Sequence, residues 1–366
     1  MVNRISTNTR FNMLVADMKM NEYNFNKLTA QLGSGNKIQS ITDDPIASVN
    51  ILNTNRQLGQ IETFEQNVGM ASAELSTLDD LLDLANGYLS SAWDKAIQAN
   101  NQTYGKSSLK ALKVEIDEIT KTMVDLANTE YNGNYIFSGA NTKTLAYTLD
   151  ENGNVIYNGT PQDNPDYVRK TEVADGVFEV INTTGDKVFG EYKEAVPAGQ
   201  GVWTEKATGK RVIETTDADG NQVFQYENGQ PFKGTQAELE DGAKEVATGV
   251  MGALRKLSNA LEKTISDDDA LIAEGYKEMN ETLDMFDKAL NTITTEQTKF
   301  GGVYNRLEMT SSTLETNNEN LTAYLENVNG LDYAEAITQW MNAQYAYQAS
   351  MKVASASMNM SLLNYI

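Results

Sequence analysis

Apolar residues recur at alternating three- and four-residue steps in long stretches of this chain. Near the start, Phe11, Leu14, Met18, Phe25, Leu28 and Leu32 follow that spacing, with only Asn21 interrupting it. The spacing places side chains on one stripe of a helix, and other helices must cover that stripe. A second helix is predicted from Asp43-Asp44-Pro45, where Asp accepts the free N–H groups and Pro supplies the preset φ. Its seam runs through Ile61, Phe64, Val68, Ala71, Leu75, Leu78, Leu82, Ala85, Leu89, Ala92 and Ala96, and Asn100-Asn101 closes it. A third helix, Ser107 to Asn128, carries Leu109, Leu112, Ile116, Ile119, Met123 and Leu126. Toward the other end the spacing passes through Ile272, Tyr276, Met279, Leu283, Phe286, Leu290 and Ile293. It resumes at Leu307, Leu314, Leu321, Tyr324, Val328 and Leu331.

Between these helices the texture changes. Asn152-Gly153, Asp175-Gly176, Thr184-Gly185-Asp186, Thr208-Gly209, Asp219-Gly220 and Asn228-Gly229 punctuate short β-branched and aromatic runs such as Val177 to Ile181, the pattern of hairpins. Helix is predicted to return at Thr235, with Leu239, Ala243, Val246, Val250, Ala253, Leu257 and Ala260. Ser266 followed by Asp267-Asp268-Asp269 starts the last long helix, with its acids at the positive end. If continuous from Ile272 to Val328 it would span ~85 Å at 1.5 Å per residue, with Gly301-Gly302 as a candidate bend. The fold class expected is mainly α with a β insert: an elongated antiparallel helical bundle or coiled coil from both chain ends, plus a small central β domain. The expected divisions are a terminal coiled-coil polymerisation zone (1–42 with 325–366), a helical bundle rod (43–141 with 235–324) and an inserted β-rich outer domain (142–234).

The net charge of −22 changes what such a rod can bind. An acidic surface repels nucleic acid and anionic membrane, so neither is an expected partner. Like charge also opposes self-assembly, which must therefore rest on buried apolar seams. The chain has no Cys and no His, which removes thiolate nucleophiles, disulfides, imidazole bases and the usual zinc sites together. Met1 to Phe11 lacks the apolar core of a secretory signal, so export, if it occurs, is expected without a cleaved peptide.

Candidate chemistry is sparse. Asp43-Asp44 could be a carboxylate pair, but Pro45 makes a helix start the better reading. Asp217, Asp219 and Asn221 resemble three ligands of a calcium loop, yet Gln222 stands at the required Gly position and Asn228 at the bidentate Glu position. Asn158-Gly159-Thr160 and Asn182-Thr183-Thr184 fit glycan acceptors by pattern. No catalytic residue, metal or cofactor is expected, and the chain is not expected to be an enzyme.

Several strings resemble the flagellin-like family of bacterial axial proteins. They are Asn3-Arg4-Ile5-Ser6-Thr7-Asn8, then Leu32-Gly33-Ser34-Gly35-Asn36-Lys37-Ile38 with Asp43-Asp44-Pro45. At the other end they are Asn305-Arg306-Leu307, Asp332-Tyr333-Ala334-Glu335-Ala336 and Ser361-Leu362-Leu363-Asn364-Tyr365-Ile366. Pro45, where filament subunits usually have Ala, favours the family's hook–filament junction branch. So do Gly133-Asn134-Tyr135-Ile136-Phe137-Ser138-Gly139, Tyr157-Asn158-Gly159 and Thr184-Gly185-Asp186-Lys187-Val188-Phe189-Gly190.

The resemblance implies a secreted structural protein of the extracellular flagellum, exported by the flagellar secretion apparatus. It would form a ring of its own copies and template flagellin polymerisation. Its partners would be flagellin, the proximal junction protein and a cytosolic export chaperone that holds the C-terminal segment. Assembly contacts are expected at Ile5, Phe11, Leu14, Met18, Phe25, Leu28 and Leu32, and at Trp340, Met341, Tyr345, Met351, Leu362, Leu363 and Ile366. Two other readings stay open: a short flagellin filament subunit, and an adhesin-like surface-binding module carried by the β insert. Pairing of the terminal seams with each other inside one chain is the plainer alternative to contacts between subunits.

Overall fold

The computed structural model describes residues 7–363 except 151, 198, 217–221 and 227–229, and the side chains of 7, 8, 10, 11, 216 and 357–363 are also outside the description. The helices are α1 (Thr7–Ser34), α2 (Pro45–Ala99), α3 (Lys106–Ala127), the single turn α4 (Gly185–Val188), α5 (Gly249–Ile265), α6 (Asp269–Asn329) and α7 (Tyr333–Leu363). Between α3 and α5 lie β1 (Glu130–Tyr131), β2 (Asn134–Tyr135), β3 (Tyr147–Leu149), β4 (Val155–Tyr157), β5 (Lys170–Ala174) and β6 (Val177–Val180). They are followed by β7 (Tyr192–Lys193), β8 (Val202–Glu205), β9 (Arg211–Thr216), β10 (Gln222–Tyr226), β11 (Leu239–Asp241) and β12 (Val246–Ala247). All named pairings are antiparallel: hairpins β1-β2 and β5-β6, and four-stranded sheets ordered β12-β7-β4-β3 and β10-β9-β8-β11. The chain is therefore mainly helical with a small central antiparallel β region.

Two compact units result. Unit one is 1–65 with 312–366, and unit two is 66–311. The core of unit two follows the heptad spacing. On α2, Val68, Ala71, Leu75, Leu78, Leu82, Ala85, Leu89, Ala92 and Ala96 are all buried, as the spacing predicts. On α3, Leu109, Leu112, Ile116, Met123 and Leu126 are buried, and Ile119 is half-buried.

The seam of α6 differs from the predicted one. Its buried series is Gly275, Met279, Thr282, Phe286, Ala289, Ile293, Glu296, Phe300, Val303 and Leu307, an unbroken alternation of four- and three-residue steps. Ile272, Tyr276, Leu283 and Leu290 flank it, half-buried. Small and polar residues occupy core positions where the partner requires them. A Cβ on Gly275 would stand 2.7 Å from the carbonyl oxygen of Ala260, so α5 and α6 approach too closely there for any side chain. Gly301-Gly302 does not interrupt α6, which is helical throughout.

The segment expected to be helical from Thr235 is not. Glu238 accepts from the Thr235 N–H (3.4 Å), a helix-start device, but only the 3₁₀ turn Gln236–Glu238 follows. Leu239 then pairs with Glu205 of β8, Val246 pairs with Lys193 of β7, and helix begins at Gly249. Gly242 (φ +86°) and Gly249 (φ +58°) sit in the left-handed region and redirect the chain after β11 and after β12. Short apolar runs satisfy both periodicities, and here strand pairing decides. Asn152-Gly153, Asp175-Gly176 and Thr208-Gly209 do form turns between paired strands, whereas Thr184-Gly185-Asp186 opens α4. Asp219-Gly220 and Asn228-Gly229 include residues outside the description.

Candidate assembly surfaces

In unit one, α1 lies against α7. Phe25 stacks on Tyr347 at 5.9 Å and 8° and meets Trp340 at 5.7 Å, while Trp340 Nε1 donates to Thr29 Oγ1 at 2.9 Å. The two terminal seams therefore pair inside one chain. That pairing covers them only in part, since Leu14, Met18, Phe25, Leu28, Leu32, Trp340 and Tyr347 are all half-buried. Met341, Tyr345 and Met351 are exposed on α7, Tyr345 at 67%. Phe11, Leu362 and Leu363 lie in α1 and α7 with side chains outside the description, and Ile5 and Ile366 lie outside the described residues. Near the end of α6, Tyr324 is exposed and Leu325 takes its seam position, half-buried with Leu321 and Val328. Leu331 falls in the loop beyond the helix.

The loops of unit one are held tightly. Asp44 caps α2, its Oδ1 accepting from the N–H groups of Ile46 and Ala47 at 3.0 Å each. Asp43 accepts from Lys27 at 2.6 Å and from the N–H groups of Gln39 and Ser40. The Lys27 hydrogen bond, then the Gln39 N–H, lower the Asp43 carboxyl from its ordinary value, and the same bond raises Lys27. The pair adjoining Pro45 is thus occupied in structure, not poised for catalysis. Across the unit, the Asn329 carbonyl takes the Lys37 N–H (2.8 Å), its Oδ1 takes the Ile38 N–H (2.8 Å), and Gly35 accepts from Leu331 N–H (3.1 Å). Gly35 suits this position because its φ of +74° lies in the left-handed region that L side chains rarely adopt.

The junction-like strings of unit two converge on one packed node. Phe137 meets Phe189 edge-on at 4.9 Å, and Tyr147 meets Phe189 edge-on at 6.2 Å. Tyr157 donates to the Phe137 carbonyl (2.9 Å), Tyr147 to that of Gly190 (2.7 Å), and Gly185 N–H to that of Phe137 (2.8 Å). Burial raises the Tyr147 and Tyr157 hydroxyls, and burial followed by Glu245 pushes Tyr192 up to about 12. Glu296 ties this node to α6. It is buried, 2.6 Å from Lys187 Nζ, and accepts from Thr183 Oγ1 at 3.2 Å. The strings are therefore architectural. Asn182 is buried, accepting from Arg169 N–H and donating to Tyr167 O, so it cannot carry a glycan in this fold. Asp217, Asp219 and Asn221 lie outside the described residues.

Exposed apolar positions off the main seams escaped the sequence reading. They include Ile41, Ile46, Val49 and Leu52 around the start of α2, and Ile337 and Val353 on α7. The signal was present, as large apolar residues at three- and four-residue steps on a second face. No helix among the described residues is long and apolar enough to cross a membrane.

Comparison with known proteins places this architecture. The profile of the bacterial flagellin N-terminal helical region matches residues 5–142, and that of the bacterial flagellin C-terminal helical region matches 283–366. The chain is similar to flagellar hook-associated protein 3 of Escherichia coli, 22% identical over 360 residues covering 98% of each chain. It is also similar to polar flagellin A of Vibrio parahaemolyticus, 23% identical over 369 residues covering 95% of each. Its fold matches the crystal structure of flagellar hook associated protein-3 from Legionella pneumophila. The TM-score is 0.56 at 20% identity, over 76% of this chain and 98% of that one.

Proposed function

Because the chain belongs to the bacterial flagellin family, whose members are structural flagellar proteins and not enzymes, we propose that it assembles as a ring at the hook–filament junction and templates flagellin polymerisation. A flagellar axial role follows from the family. The ring, the template and the named neighbours are the finer reading. Flagellin would add on one side and the proximal junction protein would lie on the other. A cytosolic chaperone would hold the C-terminal segment until the flagellar secretion apparatus exports the chain without a cleaved peptide. Ile5, Phe11, Leu14, Met18, Phe25, Leu28 and Leu32 would make assembly contacts with Trp340, Met341, Tyr345, Met351, Leu362, Leu363 and Ile366 of the same or neighbouring copies. The polymerisation zone would be 1–42 with 325–366.

One observation carries this reading: unit one exposes large apolar groups where charge is low. It exposes fourteen among its described residues, Met341 and Tyr345 included, against thirteen in the larger unit two. Such surface on an exported chain gains free energy only when covered. The filament-subunit reading draws on the likeness to polar flagellin A over 95% of each chain. Electron microscopy of a strain lacking the gene separates the two. Hooks without filaments, with flagellin monomer in the medium, are expected of the junction role. Filaments of normal number and length would contradict both roles, and filaments that are present but shortened would favour a filament subunit.

A further inference from the structure

Apolar burial alone does not choose the stripe that α6 buries. Met279, Phe286 and Ile293 are fully buried and belong equally to two stripes. The observed stripe completes them with Thr282, Ala289 and Glu296, all buried. The other would complete them with Leu283, Leu290 and Gln297, all half-buried. The two differ by a helix rotation of about 50°. By side-chain size the second stripe would remove more apolar surface from water. Contacts outside α6 must therefore favour the first. At the start of the helix that contact is Gly275, whose close approach to α5 leaves no room for a side chain. Farther along, the same stripe holds Glu296.

A buried carboxylate without partners is strongly disfavoured, and Glu296 is 2% exposed. Among the described residues, its partners on other elements both lie in the short segment 182–190. Lys187 Nζ of α4 stands 2.6 Å away, and Thr183 Oγ1 donates at 3.2 Å. Lys299, at 3.6 Å, is on α6 itself and turns with Glu296, so it favours neither stripe. The segment is seated by contacts of its own. Gly185 N–H donates to the Phe137 carbonyl (2.8 Å), Asn182 Oδ1 accepts from Arg169 N–H (2.8 Å), and Val188 and Phe189 are fully buried. Seating this segment supplies the buried carboxylate with its counter-charge from outside α6.

We propose that the seating of 182–190 selects the buried stripe of α6 beyond Thr282, with Glu296 as the group that senses it. With Glu296 paired, α6 buries Ala289 and Glu296. With Glu296 unpaired, the carboxylate turns to water and Leu283 and Leu290 take over the seam. The β region thereby controls how a long helix packs. The inference concerns unit two alone and does not rest on the assembly reading.

The chain has no cysteine, so single Cys probes report the stripe: Ala289→Cys on the first and Gln297→Cys on the second. Maleimide labelling rates are measured in the full-length protein, with and without Lys187→Met and Thr183→Val together. In the otherwise natural chain Ala289→Cys is expected to label slowly and Gln297→Cys readily. Without the two partners, Ala289→Cys is expected to label about tenfold faster and Gln297→Cys more slowly. Adding Glu296→Leu is expected to restore the first pattern, since an apolar group there needs no partner. If the doubly substituted chain gives no cooperative melt by circular dichroism, Lys187→Gln alone takes its place. Any pattern but opposite changes at the two positions, or no restoration by Glu296→Leu, would overturn the inference.

Discussion

The two units of this molecule bury their apolar residues differently. In unit two, α2, α3, α5 and α6 bury unbroken heptad series, and the β3, β4 and β7 strands add Tyr147, Val155 and Tyr192. In unit one, the buried apolar residues among those described are Ile61, Leu314 and Ala336. Charge divides the same way. Unit one has 7 basic and 11 acidic residues, whereas unit two has 22 and 40, so most of the −22 sits in unit two. A nearly neutral unit with half-covered seams is stable in full only when more surface is covered. One chain thus combines a unit with a filled core and a unit whose apolar seams stay half-covered.

The largest effect tests how far unit two depends on its β region. Replacing Thr142 to Lys233 by a Gly/Ser linker would be the obvious way to delete an outer β domain. It would also remove Tyr147, Val155, Val188, Phe189, Tyr192 and the Lys187–Glu296 ion pair. Loss of cooperative thermal unfolding is expected, read by circular dichroism. Replacing only Gly199 to Asp241 is expected to leave unfolding of the rest intact. Val196 and Ala243 already pair with each other (2.7 and 2.8 Å) and would become the stem of a short turn. A cooperative melt from the larger deletion would show that the node is dispensable.

The next effect compares one substitution in both units. Leu82→Ala, at a fully buried site, is expected to cost about 2–5 kcal/mol in denaturant unfolding. Leu28→Ala, at a half-buried site, is expected to cost about 1 kcal/mol in the monomer, yet to reduce retention of the protein on flagella. Equal destabilisation of the monomer by the two changes would remove the contrast.

A smaller effect appears at high pH and belongs to unit two. Folding favours the neutral phenols of Tyr147, Tyr157 and Tyr192, with Tyr192 held up to about 12. Their contribution is fully present below the ordinary phenol value, ~10, and is lost as pH rises from there toward the folded values. Near-ultraviolet circular dichroism is expected to hold to about pH 10 and decline above it, together with late phenolate absorbance. Early ionisation of all the tyrosines with the near-ultraviolet signal intact would contradict the burial.

Legibility in the sequence varied from element to element, within unit two as well as between the units. The α2 seam from Val68 to Ala99 could be read directly because every buried position there is apolar. The α6 seam could not, because Gly275, Thr282 and Glu296 occupy core positions that a search for apolar residues passes over. The reasons lie in the partners: the Ala260 carbonyl leaves no room at Gly275, Thr282 bonds the Met279 carbonyl, and Lys187 compensates Glu296. From Thr235 to Thr248, the heptad pattern misled because Leu239 and Val246 also fit strands, and only the pairing with β8 and β7 chooses between them. The exposed patch at Ile46, Val49 and Leu52 was missed because each helix was credited with one stripe.

The central claim is that unit one lacks a complete core in the single chain. Amide hydrogen exchange of the dilute full-length monomer tests it most directly. Amides of α3, α5 and the stretch of α2 from Val68 to Ala99 are expected to exchange slowest, near the limit set by global unfolding. Amides of α1, α7 and α2 before Glu65 are expected to exchange much faster, through local opening. Equal protection of α1, α7 and α3 in the monomer would contradict the account.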